Sequence, residues 1–303
     1  MNQMPGFNTP KRESGSRKFW RIVLGSMLGF FISSIVLSIL SLIFFFGIIA
    51  SVTTSSVPSI ADNSILKLSL NTIIEERGEE NPFENTAFQN FANSPVGLDD
   101  IINCIDNAAT DPKIKGISLE VSTIQAGMGT LQEIYNALSR FKESGKFIYA
   151  YGDYYTQKGY YLSTVADQIF INKLGSIDFK GMALKTMFFK GLLEKLEVDV
   201  QVVRHGEFKS AVEPFILDKM SEANREQMTV LASDIWNVLV SQVSVSRGIS
   251  VDTLQLIANQ LLCENAAACL KYNMIDSISY YTTYENALRN LIQIKTDKKI
   301  NYV

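Results

Sequence analysis

Uncharged residues run without interruption from Ile22 to Val52. At a rise of about 1.5 Å per residue, two thirds of that run would cross a hydrocarbon core of about 30 Å, so it predicts a transmembrane helix. A secretory signal peptide is the competing reading, but its apolar core spans only about 7 to 15 residues and ends in a small-residue cleavage site. Gly25 and Gly29 form a GxxxG inside the run, a pair frequent enough in spans to carry little weight. Residues 53–63, TTSSVPSIADN, are small, polar and Pro-containing, as in an extended linker.

Beyond the linker the hydrophobic period changes. Leu66, Leu68 and Leu70 alternate with Lys67 and Ser69, which predicts a half-buried strand. The segment Glu75 to Pro95, rich in Glu, Asn and Pro with scattered Phe, reads as a mobile loop or flap. Helical and strand patterns then alternate: helix from Leu98 to Ala109, strand from Gly116 to Val121, helix from Thr130 to Lys142, strand from Phe147 to Tyr151. They continue with a helix from Gly159 to Ala166, a strand from Gln168 to Ile171, a helix from Thr186 to Leu196 and a strand from Val198 to Val203. Such alternation predicts an α/β domain of parallel strands with crossover helices. A long amphipathic helix follows from about Glu222 to Val245, with Ser221 as its cap, Gly248 as its stop and Met228, Leu231, Ile235, Val238 and Val243 near one face. The closing KKINYV reads as the opening of a further strand, and the chain is read as cut short there. The patterns divide the chain into a basic tail (1–21), an anchor (22–52), a linker (53–63) and the α/β domain (64–303).

Charge adds direction. The net charge of −3 hides an asymmetry, because five basic residues against Glu13 put +4 on the first 21 residues and leave −7 for the rest. That balance argues against nucleic acid as a partner of the domain. Basic residues before the span also place the tail in the cytoplasm and the domain outside it.

Candidate chemistry is narrowed mostly by what is absent. The only histidine, His205, lies near no Gly-x-Ser-x-Gly elbow, which disfavours a Ser-His-Asp triad. The chain also lacks a Walker A sequence, a GxGxxG after a strand and an HExxH, so no nucleotide, dinucleotide or zinc site is expected. Cys104, Cys263 and Cys269 lack CxxC spacing and read as small buried hydrophobes, with no disulfide framework or metal site. The loop Ala126 to Thr130, AGMGT, joins a strand to a helix, where backbone N–H groups could hold an oxyanion, although two glycines there ordinarily make only a tight turn. The segment Arg204 to Phe215 sets Lys209 among Phe208, Ala211, Val212 and Phe215. A lysine can act as a base near neutral pH only if its charged form is disfavoured by about 4 kcal/mol, which apolar burial can impose; in a loop, its ordinary place is solvent.

The runs GDYYTQKGYYLSTVADQIFINKLGSIDFKGM and GEFKSAVEPFILDKMSEANREQ, together with the N-terminal anchor, resemble the N-terminal half of the long form of the signal peptide peptidase A, or protease IV, family. The resemblance covers the chain from about Ile65 onward. It implies a ClpP/crotonase-like spiral, duplicated in tandem and assembled as a homotetramer on the outer face of the bacterial inner membrane, cleaving remnant signal peptides with a Ser-Lys dyad. The family's base lies in a KSAVEPF motif, which here is Lys209 to Phe215, so Lys209 is the carried-over catalytic residue. Its serine lies in a Ser-Gly-Gly-Tyr type turn of the second half; the equivalent turn here is Gln157, Lys158, Gly159, Tyr160, with glutamine in place of serine. The resemblance therefore implies a serine peptidase whose nucleophile is not on this chain, acting on peptides at a membrane without cofactor or metal. A catalytically inactive scaffold of the same fold is the alternative. A crotonase-type enzyme is disfavoured, because an extracytoplasmic domain has no access to CoA thioesters.

Overall fold

The structure, a computed structural model, describes residues 15–52, 60–78, 96–203, 205–206, 209–295 and 298–303. The chain forms two compact units, one of residues 1–58 with 80–93, the other of residues 59–79 with 94–303. What is described of the first is helix α1, Gly15–Val52. Its stretch Lys18–Gly47 has a mean hydropathy of 2.5, long and apolar enough to cross a membrane by length and composition. The linker residues 53–59 and most of the expected flap, 79–95, lie outside the described residues.

The second unit is α/β, as expected. Its elements open with strands β1 (Ser64–Ser69), β2 (Ile74–Glu75) and β3 (Val96–Gly97), helix α2 (Leu98–Thr110), strand β4 (Ile114–Glu120), helix α3 (Met128–Glu143) and strand β5 (Phe147–Gly152). Strand β6 (Tyr155–Thr156), helix α4 (Gln157–Ser163) and strands β7 (Gln168–Ile171) and β8 (Ile177–Asp178) follow. Helices α5 (Lys190–Lys195), α6 (Glu213–Ile216), α7 (Glu222–Arg247), α8 (Val251–Gln260) and α9 (Ala266–Lys271), strand β9 (Ser277–Ile278) and helix α10 (Tyr281–Leu291) complete it. The main sheet is parallel throughout in the order β1-β4-β5-β7-β9, with helices in the connections, the crossover architecture that parallel strands require.

Both faces of the sheet are covered. Ile117 and Leu119 of β4, Ile148 and Ala150 of β5 and Ile169 of β7 join one apolar cluster with Ile105 of α2 and Ile134, Leu138 and Phe141 of α3. On the other face α10 brings Tyr284 and Leu288 against Ile65, Tyr151 and Phe170, with ring centroids of Tyr284 5.2 Å from those of both Tyr151 and Phe170. The buried Ser118 hydroxyl lies 2.7 Å from the Tyr284 hydroxyl, so neither polar group is left unpaired in that core. Leu68 and Leu70 of the first predicted strand are buried while Lys67 and Ser69 face solvent. Residues 300–303 lie beside β1, with Ile65 N–H donating to Asn301 O (2.9 Å) and Val303 N–H donating to Ile65 O (3.1 Å), so KKINYV, expected to open a strand, makes a single isolated parallel bridge, Ile65 to Tyr302, on that edge.

Four sequence expectations need correction. The helix expected from Thr186 to Leu196 is only the single turn and a half of α5. Residues 198–203 form no strand; the valines are β-branched, but no ladder pairs them, and Val203 is fully exposed. On α7 the buried apolar residues are Leu239, Val240 and Val243, while Leu231 and Val238, expected on the same face, are about half exposed. At 100° per residue those two lie about 130° and 150° around the helix from the middle of that buried face, on its outer side. Cys104 is exposed on α2, off the face of Ile101, Ile105 and Ala108, whereas Cys263 and Cys269 are buried as expected.

Candidate active site

Strand β4 ends beside the start of α4, and the chain allows that approach at one residue. A Cβ on Gly159 would sit 2.8 Å from Ser122 O and 2.9 Å from Val121 O, too close to backbone for any other side chain. Thr156 caps α4: its Oγ1 accepts from Gly159 N–H (3.2 Å) and donates to Ser122 O (3.0 Å). Behind the cap Tyr160 and Tyr161 are fully buried, donating to Met274 O and to Gln132 Oε1, each at 2.8 Å. Burial pushes the Tyr161 phenol up to about 12 and that of Tyr160 higher still.

Gln157, at the position the resemblance gives to serine, is the first residue of α4. Its Oε1 accepts from the N–H groups of Lys180 and Gly181, both at 3.1 Å, and its Nε2 donates to Gly181 O at 3.1 Å. Gly181 has φ +88°, a conformation that favours glycine, and the amide clamps that turn. Beside the clamp is a cavity of about 260 Å³ whose walls include Lys180, Met182, Trp236, Gln255 and Asn259. In the loop Ala126 to Thr130, Lys158 Nζ donates to Ala126 O at 2.7 Å, and Gly127 is the N-terminal flank of α3 with an ordinary φ of −70°.

Lys209 is exposed at the head of a short 3-10 turn, Ser210–Val212, that runs into α6. Phe208 lies outside the described residues and Phe215 is 45% exposed, so the apolar burial expected around Lys209 is not supplied by its described neighbours. The turn is anchored from two sides. Phe189 N–H donates to Pro214 O at 2.6 Å and its ring stacks on Phe215 with centroids 6.0 Å apart. Glu213, 1% exposed, accepts from Ser221 Oγ (2.6 Å), Ser221 N–H (3.2 Å) and Asn224 Nδ2 (2.9 Å) at the start of α7. His205 is exposed, and Ser163 is buried with its hydroxyl on Gly159 O, so neither is presented as a nucleophile pair. Sequence reasoning took Glu213 only as a motif letter; the signal available was an acidic residue eight positions before a helix cap.

A parallel α/β domain with a lysine on an anchored turn and an amide at the first turn of α4 is the setting in which the comparisons fall. The model of peptidase family S49 matches residues 140–295, more than half of the chain. The chain belongs to that family. It is similar to Protease 4 of Haemophilus influenzae, 39% identical over 54% of this chain and 27% of that protein. It is likewise similar to Protease 4 of Salmonella typhi, 36% identical over 63% of the chain and 32% of that protein, and to the putative signal peptide peptidase SppA of Enterococcus faecium, 26% identical over 79% and 65%. The chain thus spans about a third or less of the two Protease 4 relatives it matches.

Proposed function

We propose that the chain is part of a membrane-anchored serine endopeptidase that degrades cleaved signal peptides, with Lys209 as general base and the nucleophilic serine in a second repeat after residue 303. The observation that carries this reading is the contrast between the two motifs. Gln157 has its amide tied to the backbone at 180–181 and offers no hydroxyl, whereas Lys209 stands exposed on a turn held from behind by Glu213 and Phe189. A lysine on the surface in one motif and a glutamine in place of serine in the other fit a dyad completed by another surface. The two Protease 4 relatives, of which the matched regions are 27% and 32%, leave room for a second repeat to supply that surface.

In the proposed reaction the serine hydroxyl gives its proton to the neutral lysine amine as its oxygen attacks the scissile carbonyl. The ammonium then protonates the leaving amine, and water hydrolyses the acyl-enzyme with the same amine as base. Apolar cover over Lys209, supplied by that second surface, would favour the neutral amine. The proposed arrangement puts the N-terminus in the cytoplasm, the domain outside the membrane and four copies in the assembly. An inactive scaffold is the rival reading, favoured by the clamped Gln157 taken alone.

Replacing Lys209 with Ala or Met in the complete protein separates the two. The peptidase reading expects activity to fall below a few per cent at pH 8 with the melting temperature unchanged. Lys209→Arg should be equally inactive, because a guanidinium stays protonated to about pH 12 and cannot accept the serine proton. Substantial turnover by Lys209→Met would end the assignment.

A further inference from the structure

We infer that Glu213 is the positioning residue for Lys209, a buried carboxylate that bolts the lysine-bearing turn to the N-terminus of α7; this rests on the reading of Lys209 as the base. A carboxylate that is 1% exposed is costly unless its charge is met by donors. Here Ser221 Oγ, Ser221 N–H and Asn224 Nδ2 meet it at 2.6, 3.2 and 2.9 Å, at the end of a 26-residue helix where the peptide dipoles favour negative charge. The Asn224 amide turns its nitrogen to Glu213 even though its Oδ1 is then buried with no partner among the described residues.

The consequence is mechanical. Lys209 is four residues from Glu213, through the 3-10 turn Ser210–Val212. Two other ties, Phe189 N–H on Pro214 O and the Phe189–Phe215 stack, join the turn to the equally exposed α5, and α5 and α6 contain one buried residue between them, Glu213 itself. Helix α7, in contrast, is seated in the core by Leu239, Val240 and Val243. Its Trp236 ring lies 5.2 Å from that of Phe179, the residue next to the Lys180–Gly181 turn that Gln157 clamps. Glu213 is therefore the link through which an exposed lysine inherits the rigidity of the sheet domain. Its removal should blur the placement of the amine more than it weakens substrate binding.

The test uses the complete protein, with kcat and KM on a peptide substrate and thermal melting measured for Glu213→Gln, Ser221→Ala and Ile105→Ala. The glutamine is isosteric but presents an NH2 where donors converge, so kcat should fall at least tenfold with KM within about threefold, at a temperature well below its melting point. Ser221→Ala, which deletes one donor to Glu213 together with the α7 cap, should lose severalfold in kcat. Ile105→Ala, which opens the buried core at α2, outside the chain of contacts from Glu213 through α7, should keep kcat within twofold under the same conditions. The inference is overturned if Glu213→Gln keeps more than half of kcat, or if Ile105→Ala with an equal loss of melting temperature loses as much kcat. Should Glu213→Gln fail to fold, Ser221→Ala decides: an unchanged kcat overturns the inference. Lys209→Met in the same series separates the layers, since an active Lys209→Met defeats the base assignment and this inference together, whereas an inactive one beside a fully active Glu213→Gln defeats this inference alone.

Discussion

Gln157→Ala deletes the clamp on the 180–181 turn and leaves the backbone otherwise intact. Three N–H···O hydrogen bonds disappear, two accepted from Lys180 and Gly181 N–H and one donated to Gly181 O, together with a weak one from Nε2 to Met182 Sδ at 3.6 Å. At about 1 kcal/mol net each they would sum to about 3 kcal/mol, but Lys180 is exposed and water can replace part of what it loses. About 2 kcal/mol remains, and for a domain of this size that lowers the melting temperature by about 4 to 8 °C. Amide hydrogen exchange should quicken at 180 and 181 specifically, because the φ +88° turn at Gly181 loses its anchor. A serine at 157 should behave as alanine does in these assays, since its hydroxyl is too short to bridge both N–H groups. In the complete protein, Gln157→Ala should retain peptidase activity below its melting point, because the proposed chemistry does not pass through this residue. An unshifted melting curve would refute the clamp, and loss of activity without loss of stability would place Gln157 in the chemistry and refute the division of roles between the two repeats.

Residues 1–303 expressed alone should give no stoichiometric adduct with serine-directed acylating probes by intact mass; labelling of Ser210 or Ser163 would show the active site misplaced. Burial pushes the phenols of Tyr155, Tyr160 and Tyr284 well above their ordinary value and that of Tyr161 to about 12. Folded values above the unfolded value of about 10 mean that this stability is full below about pH 10 and is lost as the pH rises through the folded values. Phenolate absorbance at pH 11 should therefore miss these tyrosines until the fold collapses; complete titration near pH 10 with unchanged circular dichroism would contradict their burial. Protease added to spheroplasts should digest the α/β domain and spare the basic tail, and the reverse pattern would invert the topology.

The sheet was legible because its strands are covered on both faces. Gly116–Val121, Phe147–Tyr151 and Gln168–Ile171 are short apolar runs bounded by turn residues, and a parallel core strand has no other way to appear. Val198–Val203 carries the same β-branched signature and forms no ladder, since composition reports the residue's preference and not whether an edge is within reach. On α7, spacing of three to five residues admitted Leu231 and Val238 to the inner face, yet only the C-terminal half of the helix is deeply seated, on Leu239, Val240 and Val243. At the candidate site the identities were visible and the roles were not. Glutamine at 157 was readable as a missing serine, but its partners lie 23 and 24 residues onward, brought to it only by β8 and the turn beyond. Ser221 was readable as a cap, whereas its second duty toward Glu213 depends on α6 meeting the N-terminus of α7.

The exposure of Lys209 and the exposure of its apolar surroundings belong to one physical problem. Leu192, Leu196, Val198 and Phe215 are each roughly half exposed in the same stretch of chain that carries the lysine. Leaving such residues in water forgoes about 25 cal/mol for each Å² of apolar surface that could be buried. A base lysine needs a dry surface over it to favour the neutral amine, and the chain leaves apolar residues waiting for one. Under the proposed division of roles a single surface answers both needs: the repeat that brings the serine also covers this apolar stretch. The base would then be switched on only when the nucleophile is in place. Were the apolar stretch covered by a partner that brings no serine, the same burial would stabilise a scaffold with no chemistry, and the activity of Lys209→Met relative to the unmodified protein distinguishes the two.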